Sequence, residues 1–155
     1  MTINHKIILG YIKDLSVETP DPESLIAARE NISKYSLKID LSSKLLKNKM
    51  IEVYTKLTYV DKINKKKTYF EMIYATVVRI EEEKPEPEDV KKFILSDLQT
   101  KIYPKIEKIF IEILKLSGFP ELELKSKIDF NKLYIENKHE KIAIFTYNLM
   151  VHHSK

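Results

Sequence analysis

Apolar and polar residues alternate with a helical period most cleanly between Asp97 and Pro120. Ile106, Ile109, Phe110, Ile113 and Leu114 recur there at three- and four-residue spacing, while Lys105, Glu107, Lys108, Glu112 and Lys115 fall elsewhere around the axis. The pattern predicts an amphipathic helix with Pro104 in its first turn, where a missing N–H has no partner to lose. Gly118 can supply the left-handed residue that closes a helix, and Pro120 blocks continuation. Ile111 and Leu116 fall outside the main stripe, so they are the candidate contacts with another subunit.

Elsewhere the period is two. Leu9, Tyr11, Leu15 and Val17 alternate with Asp14, Ser16 and Glu18 in an extended segment from Ile7 to Glu18. Thr19-Pro20-Asp21-Pro22 ends it, and Asp21 is placed to cap a short helix over Glu23 to Ile32. Leu37, Ile39 and Leu41 form a further half-buried strand. Two longer strands follow, Ile51 to Tyr59 and Tyr69 to Ile80, and they read as an antiparallel hairpin whose tip holds Lys62, Lys65, Lys66 and Lys67. In the second strand Tyr69, Ile73, Ala75 and Val77 occupy what would be the wet side, so it is apolar on both faces and offers a surface to a partner.

Glu81 to Asp89 is acidic and broken by Pro85 and Pro87, then Val90, Phe93, Ile94 and Leu98 resume a helical period. Asp129 is a cap for a last helix carrying Phe130, Leu133 and Tyr134. Beyond Lys141 the tail is apolar, and either more helix or an added strand fits it. These elements describe an α+β chain read as a single domain over residues 1–155, with 138–155 as a C-terminal extension.

Composition narrows the function. With 155 residues, 43% of them hydrophobic, the chain can bury a core of its own. The absence of cysteine removes disulfides, thiolate metal sites and a cysteine nucleophile together. Ile7 to Ile12 is too short to span a bilayer and lacks a signal-peptide cleavage pattern, so the expected location is the cytoplasm. The net charge of +4 is modest, and the lysine cluster reads as a solvated hairpin tip that blocks edge pairing rather than as a nucleic-acid patch.

A search for chemistry ends without a catalytic set. No phosphate loop, nucleophile elbow or HExxH pattern occurs, and His5, His139, His152 and His153 read as solvated side chains rather than metal ligands. On an ideal strand Asp14 and Glu18 sit about 13 Å apart, beyond the roughly 9.5 Å reached by paired hydrolytic carboxylates. An acidic docking face suits them better than acid–base work. The chain is therefore expected to be no enzyme, with no cofactor and no resident metal.

Several runs carry a family resemblance. Tyr11-Ile12-Lys13-Asp14-Leu15-Ser16-Val17-Glu18-Thr19-Pro20, Ile102-Tyr103-Pro104, Gly118-Phe119-Pro120 and Ile128-Asp129-Phe130-Asn131-Lys132-Leu133-Tyr134 resemble, in order and spacing, the SecB family of protein-export chaperones. The resemblance implies an antiparallel four-stranded sheet with two main helices, assembled as a homotetramer that is a dimer of dimers. It implies an ATP-independent holdase that binds unfolded precursor proteins in apolar grooves and delivers them to the SecA motor. Asp14, Glu18, Tyr69 and Glu71 match the family's docking contacts for the basic, zinc-bearing tail of SecA, the zinc belonging to the partner. Client binding is expected at Ile73, Tyr74, Ala75, Val77, Phe130 and Tyr134. The pI near 9.0, the run Pro104-Lys105-Ile106-Glu107-Lys108 and the apolar tail depart from the family pattern. SecB-like chaperones dedicated to one client, such as an antitoxin, are the alternative within the class, and a basic nucleic-acid-binding domain is the alternative outside it.

Overall fold

The computed structural model describes residues 3–32, 35–61, 68–124, 128–137, 143–147 and 151–153. The lysine cluster at 62–67 lies outside the described residues. In chain order the elements are β1 (His5–Glu18), α1 (Pro22–Glu30), β2 (Tyr35–Leu45), β3 (Met50–Asp61), β4 (Tyr69–Ile80), α2 (Pro87–Lys92), a π-helical segment (Phe93–Asp97), α3 (Leu98–Leu116), β5 (Leu122–Leu124), α4 (Phe130–Asn137), β6 (Ala143–Tyr147) and β7 (Val151–His153).

The expected four strands form an antiparallel sheet in the order β1-β4-β3-β2, and β6 extends it to five beside β2. The tail thus contributes a strand rather than more helix. A second, two-stranded sheet joins β5 to β7. Because side chains alternate along a strand, the inner face collects Leu37, Ile39, Leu41, Ile51, Val53, Leu57, Tyr59, Phe70, Met72 and Val78, all buried. Phe93, Leu98, Ile106, Phe110 and Leu114 of the helical run close that face in one apolar cluster. Phe119 meets Tyr35, Tyr59 and Phe70 at ring-centroid distances of 6.4, 6.3 and 5.5 Å. A fully buried phenylalanine of this kind is worth about 3–5 kcal/mol against alanine.

Local signals explain the boundaries. The Asp21 carboxylate accepts the Ser24 N–H at 2.7 Å and starts α1, with Pro22 in the first turn. Hydrogen bonding by Ser24 holds the Asp21 carboxyl below its ordinary range. Asp129 accepts the Lys132 N–H at 3.0 Å and starts α4 in the same way. Gly118, at φ +117°, closes α3 as its sequence position predicts: the Phe119 N–H reaches back to the Leu114 carbonyl at 3.1 Å. A Cβ at Gly118 would also strike the Leu25 methyls at 2.7 Å, so the turn and the packing of α1 both need glycine there.

Two expectations are corrected. Pro104 lies well inside α3 rather than in a first turn, because the helix starts upstream at Pro87 and passes through the π-helical segment. Its ring faces solvent, where water can serve the carbonyl that loses its helical donor. Strand β1 does not keep one period of two, because it bulges between Ile7 and Leu9 and again between Ile12 and Asp14. Leu9 and Tyr11 therefore pair with Val77 and Ala75 of the outer face, while Leu15 and Val17 pair with Met72 and Phe70 of the inner face.

Candidate functional site

The second bulge brings the four docking candidates together. Glu18 lies opposite Tyr69, Ser16 opposite Glu71 and Asp14 opposite Ile73, all on the outer face at the β1–β4 seam. Glu71 is not a bare carboxylate. It accepts the Tyr69 hydroxyl at 2.7 Å and forms an ion pair of 2.7 Å with Lys56 from β3. Desolvation pushes the Glu71 carboxyl up, but the hydrogen bonds from Lys56 and Tyr69 outweigh it and leave the group below its ordinary range. Burial, followed by its bond to Glu71, pushes the Tyr69 phenol up to about 12. Asp14 and Glu18 are exposed and carry no ion pair among the described residues.

A second network sits beside it. The Tyr11 hydroxyl donates to Glu52 at 3.0 Å, and Lys13 lies 3.5 Å from Glu52 and 3.2 Å from the Tyr54 hydroxyl. Lys13 also stands 4.4 Å over the Tyr54 ring, and Tyr54 itself donates to Glu52. That bond from Tyr54, helped by Tyr11 and Lys13, holds the Glu52 carboxyl below its ordinary range. Two carboxylates of the outer face therefore carry lysine partners: Lys56 reaches Glu71 from the neighbouring strand, and Lys13 reaches Glu52 from β1 across β4.

The six client candidates do not form one surface. Ile73, Ala75 and Val77 point outward and Tyr74 inward, as a period of two requires, while Phe130 and Tyr134 sit on α4. Ala75 and Val77 are buried between their neighbours, in register with Tyr11 and Leu9 on one side and Tyr54 and Glu52 on the other. The Tyr74 ring lies across Gly10, where a Cβ would come within 2.8 Å of its hydroxyl oxygen. Phe130 is buried against Tyr103 with ring centroids 5.0 Å apart, and Tyr134 is half-buried. Burial, with Glu88 and Asp89 adding to it, pushes the Tyr134 phenol up. Of the two subunit candidates, Leu116 is 87% exposed, whereas Ile111 packs partly against the core.

The outer face carries a shallow cleft of about 540 Å³ lined by Lys13, Asp40, Tyr54, Lys56 and Ile73, and two more clefts lie elsewhere. A cleft of about 430 Å³ opens between the ends of β2 and β3 and the start of the long helical run, lined by Leu41, Leu45, Ile51, Val90, Ile94 and Leu95. The π-helical segment forms one wall, presenting the successive residues Ile94 and Leu95. A second cleft of about 370 Å³ is lined by Gln99, Tyr103, Pro104, Glu107, Ile128 and Phe130. Gln99 accepts the Thr55 hydroxyl at 3.3 Å, and its amide nitrogen is buried with no partner among the described residues. Desolvation pushes the Glu107 carboxyl up, against a hydrogen bond from Tyr103 that lowers it. Among the described residues no cluster of His, Cys, Asp or Glu could hold a metal, and no helix is long and apolar enough to cross a membrane.

A family profile described as the preprotein translocase subunit SecB matches residues 2–141. The chain belongs to the SecB family. A relative from Pelagibacter ubique (strain HTCC1062) bearing the protein-export SecB name is 45% identical over 135 residues, covering 86% of this chain and 96% of that one. The protein-export protein SecB of Rickettsia bellii (strain OSU 85-389) is 31% identical over 126 residues, covering 80% and 81%. Among solved structures, the SecB-like chaperone of Mycobacterium tuberculosis, in complex with a peptide from the HigA1 antitoxin, aligns with a TM-score of 0.58 at 12% identity. It covers 79% of this chain and 90% of that one, so the SecB fold is shared. The SecB match includes both clefts and the whole outer face, but it stops before β6. No sequence period links Leu45 to Val90, Ile94 and Leu95, which follow it by 45 residues or more, so the pattern does not mark them as one lining. The one local signal was Leu45, an apolar residue at a strand end with nothing nearby to cover it.

Proposed function

We propose that this SecB-family chain is an ATP-independent holdase that keeps precursor proteins unfolded and hands them to the SecA motor. One observation carries the reading: a cleft of about 430 Å³ has an apolar lining that includes Leu41, Ile51, Val90 and Ile94. Such a surface binds extended apolar segments by area rather than by chemistry, at roughly 25 cal/mol per Å² of apolar surface covered. The second cleft adds Tyr103 and Phe130 as aromatic lining.

Docking of SecA's basic tail is proposed at Asp14, Glu18, Tyr69 and Glu71, which share the outer face. Asp14 and Glu18 supply the uncompensated charge, since Glu71 already holds Lys56. We also propose a homotetramer in the cytoplasm. The long β1 edge supports assembly, with Ile12, Leu15 and Val17 all more than 40% exposed, and Leu116 supports it at the end of α3. Dedication to one client such as an antitoxin is the second reading. The basic balance of the chain and the lysine-paired carboxylates of the outer face favour it, because they weaken the attraction for a basic tail.

Calorimetry decides between them, using the zinc-bearing tail peptide of SecA from the same organism. The export reading expects saturable binding that weakens with salt; no binding at low salt leaves the dedicated chaperone.

A further inference from the structure

The SecB match ends at residue 141, and the chain then adds a strand where the four-stranded core would have a free edge. Tyr147 pairs with Leu37 and Ala143 with Leu41, antiparallel along β2. Beyond Leu41 the same strand continues into Ser42, Ser43 and Leu45, which line the 430 Å³ cleft. The tail strand therefore begins, at Ala143, in register with the first cleft residue, Leu41. β7, further along the tail, pairs with β5, so the segment is held at both ends.

The sequence of this segment is that of a client. Residues 142–151 read Ile-Ala-Ile-Phe-Thr-Tyr-Asn-Leu-Met-Val, without a charged residue, in a chain that is 32% charged. Extended segments add to a sheet edge through main-chain hydrogen bonds, which any sequence can make, while flanking pockets choose the side chains. A site filled from within the same chain is open only for a fraction of the time, and its apparent affinity falls by that fraction. An open edge is also a template for aggregation, which a chaperone handling unfolded chains must avoid.

We infer that the edge of β2 beside the cleft is a strand-addition site for extended apolar segments. The resting chain fills it with Ala143–Tyr147, and an entering client displaces that strand. The inference rests on the client-holding reading above. It assigns the tail the role of an internal competitor, which releases the edge only to segments that also fill the cleft.

Hydrogen exchange of the full chain, with and without a reduced and alkylated unfolded protein, tests it. Amides of 143–147 are expected to be protected in the free chain and to lose protection tenfold or more at saturation, while those of Leu37–Leu41 stay protected. Unchanged protection of 143–147 with client bound overturns the inference. The double variant I144P/F145P removes whichever N–H faces β2, since successive N–H groups point to opposite edges. It is expected to bind the labelled client severalfold more tightly, and equal or weaker binding by the folded variant contradicts the inference. Should the variant not fold, the exchange result on the native chain decides alone. Fluorescence anisotropy of the labelled client separates the two failures: no binding at all removes the client-holding reading, whereas binding with the tail still protected removes only this one.

Discussion

Lys56 Nζ lies 2.7 Å from Glu71 Oε1, joining adjacent strands in the middle of the proposed docking face. A basic peptide that reaches Glu71 must compete with a lysine already there. Exposed pairs are worth under about 1 kcal/mol, so Lys56→Met is expected to tighten binding of a basic SecA tail peptide roughly two- to fivefold at low salt. Reversing both Asp14 and Glu71 to lysine is expected to abolish that binding while client holding persists. Titration at two salt concentrations checks both outcomes, because screening weakens exposed charge pairs first.

Gly10 and Tyr74 give a test of the β1 edge. Gly10→Ala places a methyl within 2.8 Å of the Tyr74 hydroxyl, so the ring or the strand must move. The expected cost is about 1–3 kcal/mol, as for other overpacked sites, read as a lower urea midpoint with an unchanged slope. Recovery in the double variant with Tyr74→Phe, which removes the nearest atom, would tie the loss to this contact.

Glu107 sets a pH dependence. Its carboxyl is held above the ordinary range in the folded chain, so the folded state binds more protons than the unfolded one in that window. Stability contributed by this group is present below the unfolded value and is lost as pH rises through the folded value. Glu107→Gln is expected to raise the melting temperature at pH 7 and to match the parent near pH 4. A variant that melts lower at pH 7 would mean that the bond with Tyr103 outweighs the desolvation.

Leu116 is the sharper of the two subunit candidates, being exposed at the end of α3 while Ile111 is partly committed to the core. Leu116→Lys is expected to split the proposed tetramer with little change in protomer folding, because symmetry repeats a small loss at every copy. Light scattering gives the mass directly, and a monomeric parent protein would remove the assembly proposal.

Signals that act within one turn were legible in the sequence. Asp21 and Asp129 cap their helices, Gly118 closes α3, and the β3–β4 hairpin is in place, because each depends on residues a few positions apart. Asp14 and Glu18 also share a face as expected, yet Leu9 and Tyr11 join them there. A bulge at Lys13 leaves no mark in a hydrophobic pattern, and it turns half of β1 over. Pro104 reads as a first-turn residue because proline suits that position, but the packing of Phe93, Leu98 and Ile106 carries the helix through it from upstream. The cleft was illegible because its lining is assembled from β2, β3 and the helix start, which only the fold brings together.

Holding of unfolded chains is the central claim, and the light scattered by an aggregating, chemically unfolded protein measures it most directly. At a severalfold molar excess and without nucleotide, the protein is expected to suppress the scattering, with the charge-reversed docking variant doing so equally well. Scattering that rises as fast with the protein as without it would contradict the account.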